Sequence, residues 1–313
     1  MAYKYVFGPV PSRRLGISLG IDLLPFKTCS FNCIYCECGR TTQYLNERKE
    51  FFPVEDIFSE ISDYLSNNEY PDFLTFSGSG EPTLYSKLGD LISMCKSNFP
   101  EVKIAILTNS SLLYREDVKK ECSLADVVLP SLDSARLESF IKLDRPLDKD
   151  KLNLIILGLI EFRKIYDKEI WLEIFFAQGI NDTEEDLESL YQAIIKIKPD
   201  LVQLNTLDRP PAESFIKPVT KKFLEDIAKR WNDLPVEIIS RYKNRNEIEN
   251  YSKEFEQQLL NALKRRPLTR SDLIAAFNKP MVEIAKYLDI LEYEKKIKNV
   301  ILNKKIFIQY IGN

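Results

Sequence analysis

The chain has 313 residues, 44% of them apolar and 29% charged, with a net charge of −3. That length suits about two domains, and the balance excludes disordered and fibrous classes. Histidine is absent, which excludes Ser-His-Asp and Cys-His hydrolases, HExxH zinc proteases, His-containing zinc deaminase sites and His-ligated haem.

Acid–base work must therefore fall to carboxylates, Lys, Tyr or Cys. No GxxxxGK[ST] phosphate loop can be read. Residues 253–313 carry 12 basic and 7 acidic side chains, the rest 32 and 40. A basic tail on an acidic body suits a nucleic acid or acidic partner, or an ordinary solvated face. No apolar run reaches the ~18–20 residues that span a bilayer. The first residues lack the apolar core of a signal peptide. The expectation is a cytoplasmic protein with reduced thiols and no membrane contact.

In chain order, residues 17–24 read as a strand leading into a cysteine-rich loop. Ile57, Ile61 and Leu65 recur at helical spacing within a predicted helix over 54–67. Residues 73–76 form a strand, 84–97 a helix, 102–107 a strand and 117–122 a short helix. Residues 127–129 form a strand closed by Pro130, and 151–166 a helix. Residues 170–176 are a strand of bulky side chains. Asn181 to Glu185 opens a helix running to about Lys198, acidic in its first turn. Residues 201–204 form a strand, 219–231 a helix and 236–239 a strand. Six alternations argue an α/β fold with a parallel sheet, open or closed into a barrel. In both forms the site lies at the C-terminal strand ends.

Six cysteines occur, and four fall within ten residues: Cys29-Ser-Phe-Asn-Cys33-Ile-Tyr-Cys36-Glu-Cys38. Cys95 and Cys122 sit in apolar-periodic segments and read as core. A cytosolic cluster of thiols points to metal rather than disulfide. Zinc usually takes two separated knuckles, or Cys with His, and neither is present. One compact loop of thiolates suits an iron–sulfur cluster.

The Cys29, Cys33, Cys36 spacing, with Tyr35 before the third cysteine, resembles the signature of the radical SAM superfamily. The resemblance implies that these three cysteines hold a [4Fe–4S] cluster whose fourth iron chelates S-adenosylmethionine. One-electron reduction then yields a 5′-deoxyadenosyl radical, with protein supplying binding and orientation. It also implies an external one-electron donor of flavodoxin or ferredoxin type. Cys38 lies outside the signature and reads as a non-ligand, since a Cys-x-Cys pair rarely reaches two corners of one cube. The expected fold becomes a partial (β/α)6 TIM-like barrel over residues 1–245.

The strand ends hold the remaining candidates. Ser77-Gly-Ser-Gly-Glu-Pro-Thr83 imitates GxGxxG, but Pro82 and Thr83 break the dinucleotide pattern. It resembles instead the family's GGE motif, here Ser79-Gly80-Glu81 with Gly78 extending the turn, which binds the SAM amino group. Asn109, Ser131 and Asp133 are expected by resemblance to reach the methionine carboxylate and ribose, though such residues also simply favour turns. Glu173 points into the barrel or outward. The loop from Gln203 through Asn205 to Pro211 is a substrate or adenine contact, or a surface turn. Arg13, Arg14, Lys27 and Arg40 either anchor a phosphate or carboxylate, or lie solvated.

In the tail, residues 254–263 read as a helix. Thr269 and Asp272 read as a capping box, with a helix to Phe277. Pro280 then starts a third helix. Residues 297–302 and 305–310 read as strands around Asn303-Lys304. Three helices and a hairpin over 253–313 resemble a winged-helix module, which could read an RNA, DNA or peptide, or act as a structural lid.

The motif Phe7-Gly-Pro-Val-Pro-Ser-Arg-Arg-Leu-Gly16, the cysteine loop and Gly80-Glu-Pro-Thr-Leu84 together resemble a branch related to the enzymes that make wybutosine bases in tRNA. The leading expectation is radical chemistry on a nucleic acid, with a peptide-modifying enzyme and a redox-sensing regulator as alternatives. A zinc scaffold is a fourth reading.

Overall fold

The computed structural model describes residues 3–12, 14–239, 251–302 and 305–311. Arg13 and the Asn303-Lys304 turn lie outside the described residues, as do residues 240–250. Two compact units are present. The first comprises Met1–Gly8, Leu19–Asp63 and Phe73–Ile239; the second comprises Pro9–Ser18, Tyr64–Asp72 and Ser240–Asn313.

The chain opens with β1 (Val6–Ser12), β2 (Gly16–Asp22), the short β3 (Thr28–Cys29) and β4 (Gln43–Tyr44), then α1 (Val54–Asn67). Next come β5 (Phe73–Ser77), α2 (Leu88–Asn98), β6 (Lys103–Thr108), α3 (Glu116–Cys122), β7 (Val127–Pro130) and α4 (Leu137–Leu143). Then follow α5 (Leu152–Ile165), β8 (Glu169–Phe176), α6 (Glu184–Ile197), β9 (Leu201–Thr206), α7 (Lys221–Arg230) and β10 (Val236–Ile239). The main sheet has the order β1-β2-β5-β6-β7-β8-β9-β10. Every pair from β5 to β10 is parallel. This is the α/β fold with a parallel sheet that the alternation implied, of the partial-barrel kind.

The alternation of strand side chains separates two chemistries. Leu74, Phe76, Ile104, Ile106, Val128, Leu172, Ile174, Phe176, Val202 and Leu204 are almost wholly buried. The residues between them include Thr75, Glu173, Gln203 and Asn205. Glu173 and Gln203 are register partners, as are Phe175 and Asn205, so these polar side chains share one face. Along α1, Ile57, Ile61 and Leu65 are buried, as the helical period requires. Each contributes about 1.5–3 kcal/mol of burial. Helix α6 starts at Thr183, whose side chain accepts from the Asp186 N–H, and carries three acidic residues in its first turn.

Three local differences from the sequence reading have physical causes. Residues 82–84 form a separate 3-10 turn begun by Pro82, so the following helix starts at Leu88 rather than Leu84. Helix α4 carries no side-chain cap and spans only seven residues, too short for periodicity to reveal. Strand β1 was not foreseen, because its glycine and two prolines are poor strand formers.

In the second unit, α8 (Lys253–Arg265), α9 (Arg270–Phe277) and α10 (Met281–Tyr293) are followed by the antiparallel pair β11 (Ile297–Leu302) and β12 (Lys305–Tyr310). Both halves of the Thr269–Asp272 capping box form. Pro280 is not the first helical residue; its extended ψ of 144° makes it the cap before Met281. Leu259, Leu263, Leu273, Ile284, Ile290 and Leu291 form the core of this unit. Among the described residues, no helix is long and apolar enough to cross a membrane.

Candidate active site

The cysteine loop leaves the C-terminal end of β2 and is pinned by backbone bonds. The Asn32 N–H reaches the Asp144 carbonyl at 3.0 Å, and the Ile34 N–H the Leu143 carbonyl at 2.9 Å. Helix α4 therefore ends on the loop and spends its terminal carbonyls there. Ile34 packs with Leu143, Phe175, Ala177 and Ile216 in a small buried cluster. The Glu213 N–H closes on the Ile34 carbonyl at 3.0 Å, which brings the chain after β9 onto the loop.

All six cysteines are free thiols; Cys29, Cys33 and Cys36 are half-buried, and Cys38 is exposed. Two donors aim at the sulfurs. Lys27 Nζ lies 3.1 Å from Cys36 Sγ, and Asn109 Nδ2 lies 3.5 Å from Cys29 Sγ. Burial pushes the Cys29 thiol up to about 12 and raises Cys33 well above its ordinary range. Cys36 moves down, because the Cys38 thiol bonds to it and the Lys27 ammonium stands beside it. Among the described residues, no three His, Cys, Asp or Glu side chains converge on a single ion. A cubane cluster asks for something else, one sulfur at each of three separated corners. Three thiols on one short loop with N–H donors directed at sulfur fit that need.

Beside the loop runs the turn Gly78–Glu81. A Cβ on Gly80 would lie 2.0 Å from the Thr28 carbonyl oxygen, so only glycine fits. The Glu81 N–H donates to that same carbonyl at 3.1 Å. Ser79, where the family motif has glycine, donates from both N–H and Oγ to Asp22 Oδ2, at 3.1 and 2.8 Å. Asp22 Oδ1 is buried with no hydrogen-bond partner. An orphaned carboxylate oxygen beside this turn fits an ammonium such as the one SAM carries.

Glu81 is 1% exposed. Its carboxylate accepts from Thr83 N–H and Oγ1, Thr108 Oγ1 and the Asn109 N–H, at 2.6–3.0 Å. Burial raises its pKa, against the pull of those bonds. This carboxylate ties the turn to the end of β6. Asn109 is similarly committed: it donates to Ser30 Oγ at 3.0 Å as well as to Cys29, and its Oδ1 accepts from the Ser111 N–H.

Asp133 is 4% exposed. Its Oδ2 accepts from the Tyr35 hydroxyl, and Oδ1 accepts from the Phe175 N–H at 2.8 Å. Burial lifts it to about 6. The Tyr35 ring stacks on Phe175 with centroids 3.9 Å apart. Tyr35 thus clamps the loop onto β7 and β8. Ser131 is half-buried at the same strand end, its N–H on the Thr108 carbonyl.

Asn205 joins this group through β8, as the register partner of Phe175. It donates to Glu173 Oε1 at 2.8 Å, across neighbouring strands. The buried Gln203 leaves both amide atoms without a partner. Arg40 pairs with Glu213, as does Arg145, at 2.9 and 2.6 Å, and the Arg40 side chain is otherwise largely exposed. Sequence reasoning missed Asp22 and Asp144. Asp22 lies inside the predicted strand over 17–24, whereas the observed β2 ends at Asp22, just before the cysteine loop. Asp144, 3.5 Å from Cys33 Sγ, had no signal, because helix α4 was unseen.

Residues 23–199 match the model of the Radical SAM superfamily. The chain belongs to that superfamily. It is 34% identical over 306 residues to a UPF0026 protein of Methanocaldococcus jannaschii, covering 93% of this chain and 94% of that one. It is 36% identical over 301 residues to a Brachyspira hyodysenteriae protein named GTPase Obg, covering 96% of this chain but only 44% of that protein. TYW1 with a lysine-pyruvate adduct shares the fold at a TM-score of 0.54, with 17% identity over 69% of this chain and 73% of TYW1. Streptococcus suis SuiB bound to its precursor peptide SuiA shares it at 0.56, with 16% identity over 76% of this chain and 54% of SuiB. Radical SAM enzymes use a [4Fe–4S] cluster and S-adenosylmethionine and draw on an external electron donor.

Proposed function

We propose that Cys29, Cys33 and Cys36 hold the radical SAM cluster and that the substrate is a nucleic acid of the tRNA class. The observation that carries the first part is the convergence of donors on the loop sulfurs, with the Gly78–Glu81 turn locked against the loop. When bound, the cluster supplies the electron that cleaves SAM to a 5′-deoxyadenosyl radical, which abstracts hydrogen from substrate.

The chain's own residues bind and orient. The Gly78–Gly80 backbone and Asp22 would receive the ammonium of SAM, Asp22 bonding to Ser79 of that turn through Oδ2 while its Oδ1 has no partner. Ser131 would reach the ribose. Glu81, Asn109 and Asp133 hold the frame: their polar atoms already bond within the protein, so they act by positioning. Asn205 and Glu173, paired on the polar sheet face, would meet the adenine or the substrate. Cys38 stays outside the cluster.

The substrate reading rests on the basic tail, read as a winged helix, on the motif resemblance to the wybutosine-related branch, and on the fold shared with TYW1. SuiB, of the same fold, was crystallised with a peptide, which makes a peptide the competing outcome. A cytoplasmic setting and a flavodoxin- or ferredoxin-type donor complete the proposal. The test is anaerobic reconstitution with SAM and reductant, with and without total cellular RNA. Mass analysis should find 5′-deoxyadenosine whose yield rises with RNA, together with a modified nucleoside. A rise with peptide but not with RNA overturns the substrate class. Reduced protein that makes no deoxyadenosine yet binds duplex DNA in a cluster-dependent way would indicate a regulator.

A further inference from the structure

Lys27 is an unusual lysine in two respects. It is 3% exposed, and its φ of +56° lies in the left-handed region that a side chain rarely adopts. The surrounding backbone holds it there. Its carbonyl accepts from the Thr42 and Gln43 N–H groups, each at 3.0 Å, and from Thr42 Oγ1 at 3.4 Å. The next residue begins β3, which pairs with β4 through Thr28–Gln43 and Cys29–Tyr44. Backbone strain kept by this many bonds marks a position selected for where its side chain points.

The side chain points at sulfur. The ammonium is 3.1 Å from Cys36 Sγ. Among the described residues, other cations near the loop pair with carboxylates: Arg40 and Arg145 with Glu213, Arg209 with Glu37. A buried ammonium is costly unless a negative group answers it. Here the Cys36 sulfur is that group, and a cluster bound to it would make the counter-charge larger.

We infer that Lys27 is a positioning residue for the redox step, a fixed buried cation that raises the reduction potential of the cluster held by Cys29, Cys33 and Cys36. The inference rests on the proposed ligand set. In the step concerned, one electron passes from a low-potential donor to the cluster, the donor is oxidised, and no bond to Lys27 forms or breaks. The cluster becomes more negative by one charge, and a cation at the sulfur favours that state. Net charge and hydrogen bonds to sulfur are the recognised determinants of such potentials.

The test is an anaerobic redox titration of the reconstituted cluster, followed by electron paramagnetic resonance. It compares the wild type with Lys27→Met, Lys27→Gln and Lys27→Arg. SAM affinity is measured alongside. The midpoint should fall in the Met and Gln variants and stay near the wild-type value in the Arg variant, with SAM affinity little changed. An unmoved midpoint in a loaded Met variant overturns the inference. So does weakened SAM binding at constant midpoint, which would make Lys27 a substrate anchor. Neutral variants that fold but load no cluster also overturn it, assigning Lys27 to assembly instead. If the wild type itself forms no four-iron cluster, the ligand assignment fails first and the inference falls with it.

Discussion

Gly80 and Thr28 touch backbone to backbone: a methyl group on Gly80 would lie 2.0 Å from the Thr28 carbonyl oxygen. The turn that would receive SAM and the strand that delivers Cys29 are therefore one packed unit. Gly80→Ala should cost about 1–3 kcal/mol of stability, as overpacking against an unyielding neighbour does. Urea unfolding gives the first effect, and SAM affinity of the reconstituted protein should fall with it. An alanine variant of wild-type stability and affinity would mean that the two segments are not coupled.

The four loop cysteines should separate into two classes. Serine at Cys29, Cys33 or Cys36 should abolish the visible absorption of the reconstituted protein. Alanine at Cys38 should leave cluster content unchanged, since Cys38 is the exposed thiol of the four and lies outside the three-cysteine signature. Iron and sulfide analysis of the four variants checks both halves.

Asp133 gives stability a specific pH dependence. Burial raises its folded pKa to about 6, above an unfolded carboxylate near about 4. The folded state thus holds the proton more tightly. Its contribution is fully present below the unfolded value and is lost as pH rises through about 6. Unfolding of the cluster-free chain at successive pH values should show that decline in the wild type. Asp133→Asn, which cannot ionise, should make it shallower, the buried Asp144 and Glu81, both raised by burial, keeping the remainder.

Cys95 and Cys122 are core residues, 2% and 0% exposed. Burial pushes the Cys95 thiol up to about 12, so the reactive thiolate is scarce at any ordinary pH. Alkylation of the native cluster-free protein near pH 8, read by mass spectrometry, should label the cysteine loop, where Cys36 is lowered and Cys38 exposed, and spare these two. Denaturant should expose both.

The parallel sheet was legible because its strands are short apolar runs between amphipathic helices. The Thr269–Asp272 cap and the Thr183 helix start were legible because capping is local chemistry. Roles at the site were harder. Motif resemblance set Glu81, Asn109 and Asp133 beside the cofactor, but motif spacing cannot show that their polar atoms bond inward. That depends on burial, which joins residues far apart in the chain. Lys27 shows the same limit. As a lysine beside a loop it suits solvent or an anion, and only the fold shows it buried against Cys36.

The central claim is that three thiols leave one iron open to SAM. Mössbauer spectroscopy of protein reconstituted with iron-57 tests it most directly. On adding SAM, one iron of each four-iron cluster should change its spectrum while the other three keep theirs. Four irons that stay unchanged when SAM is added, all held by side chains, would contradict the account.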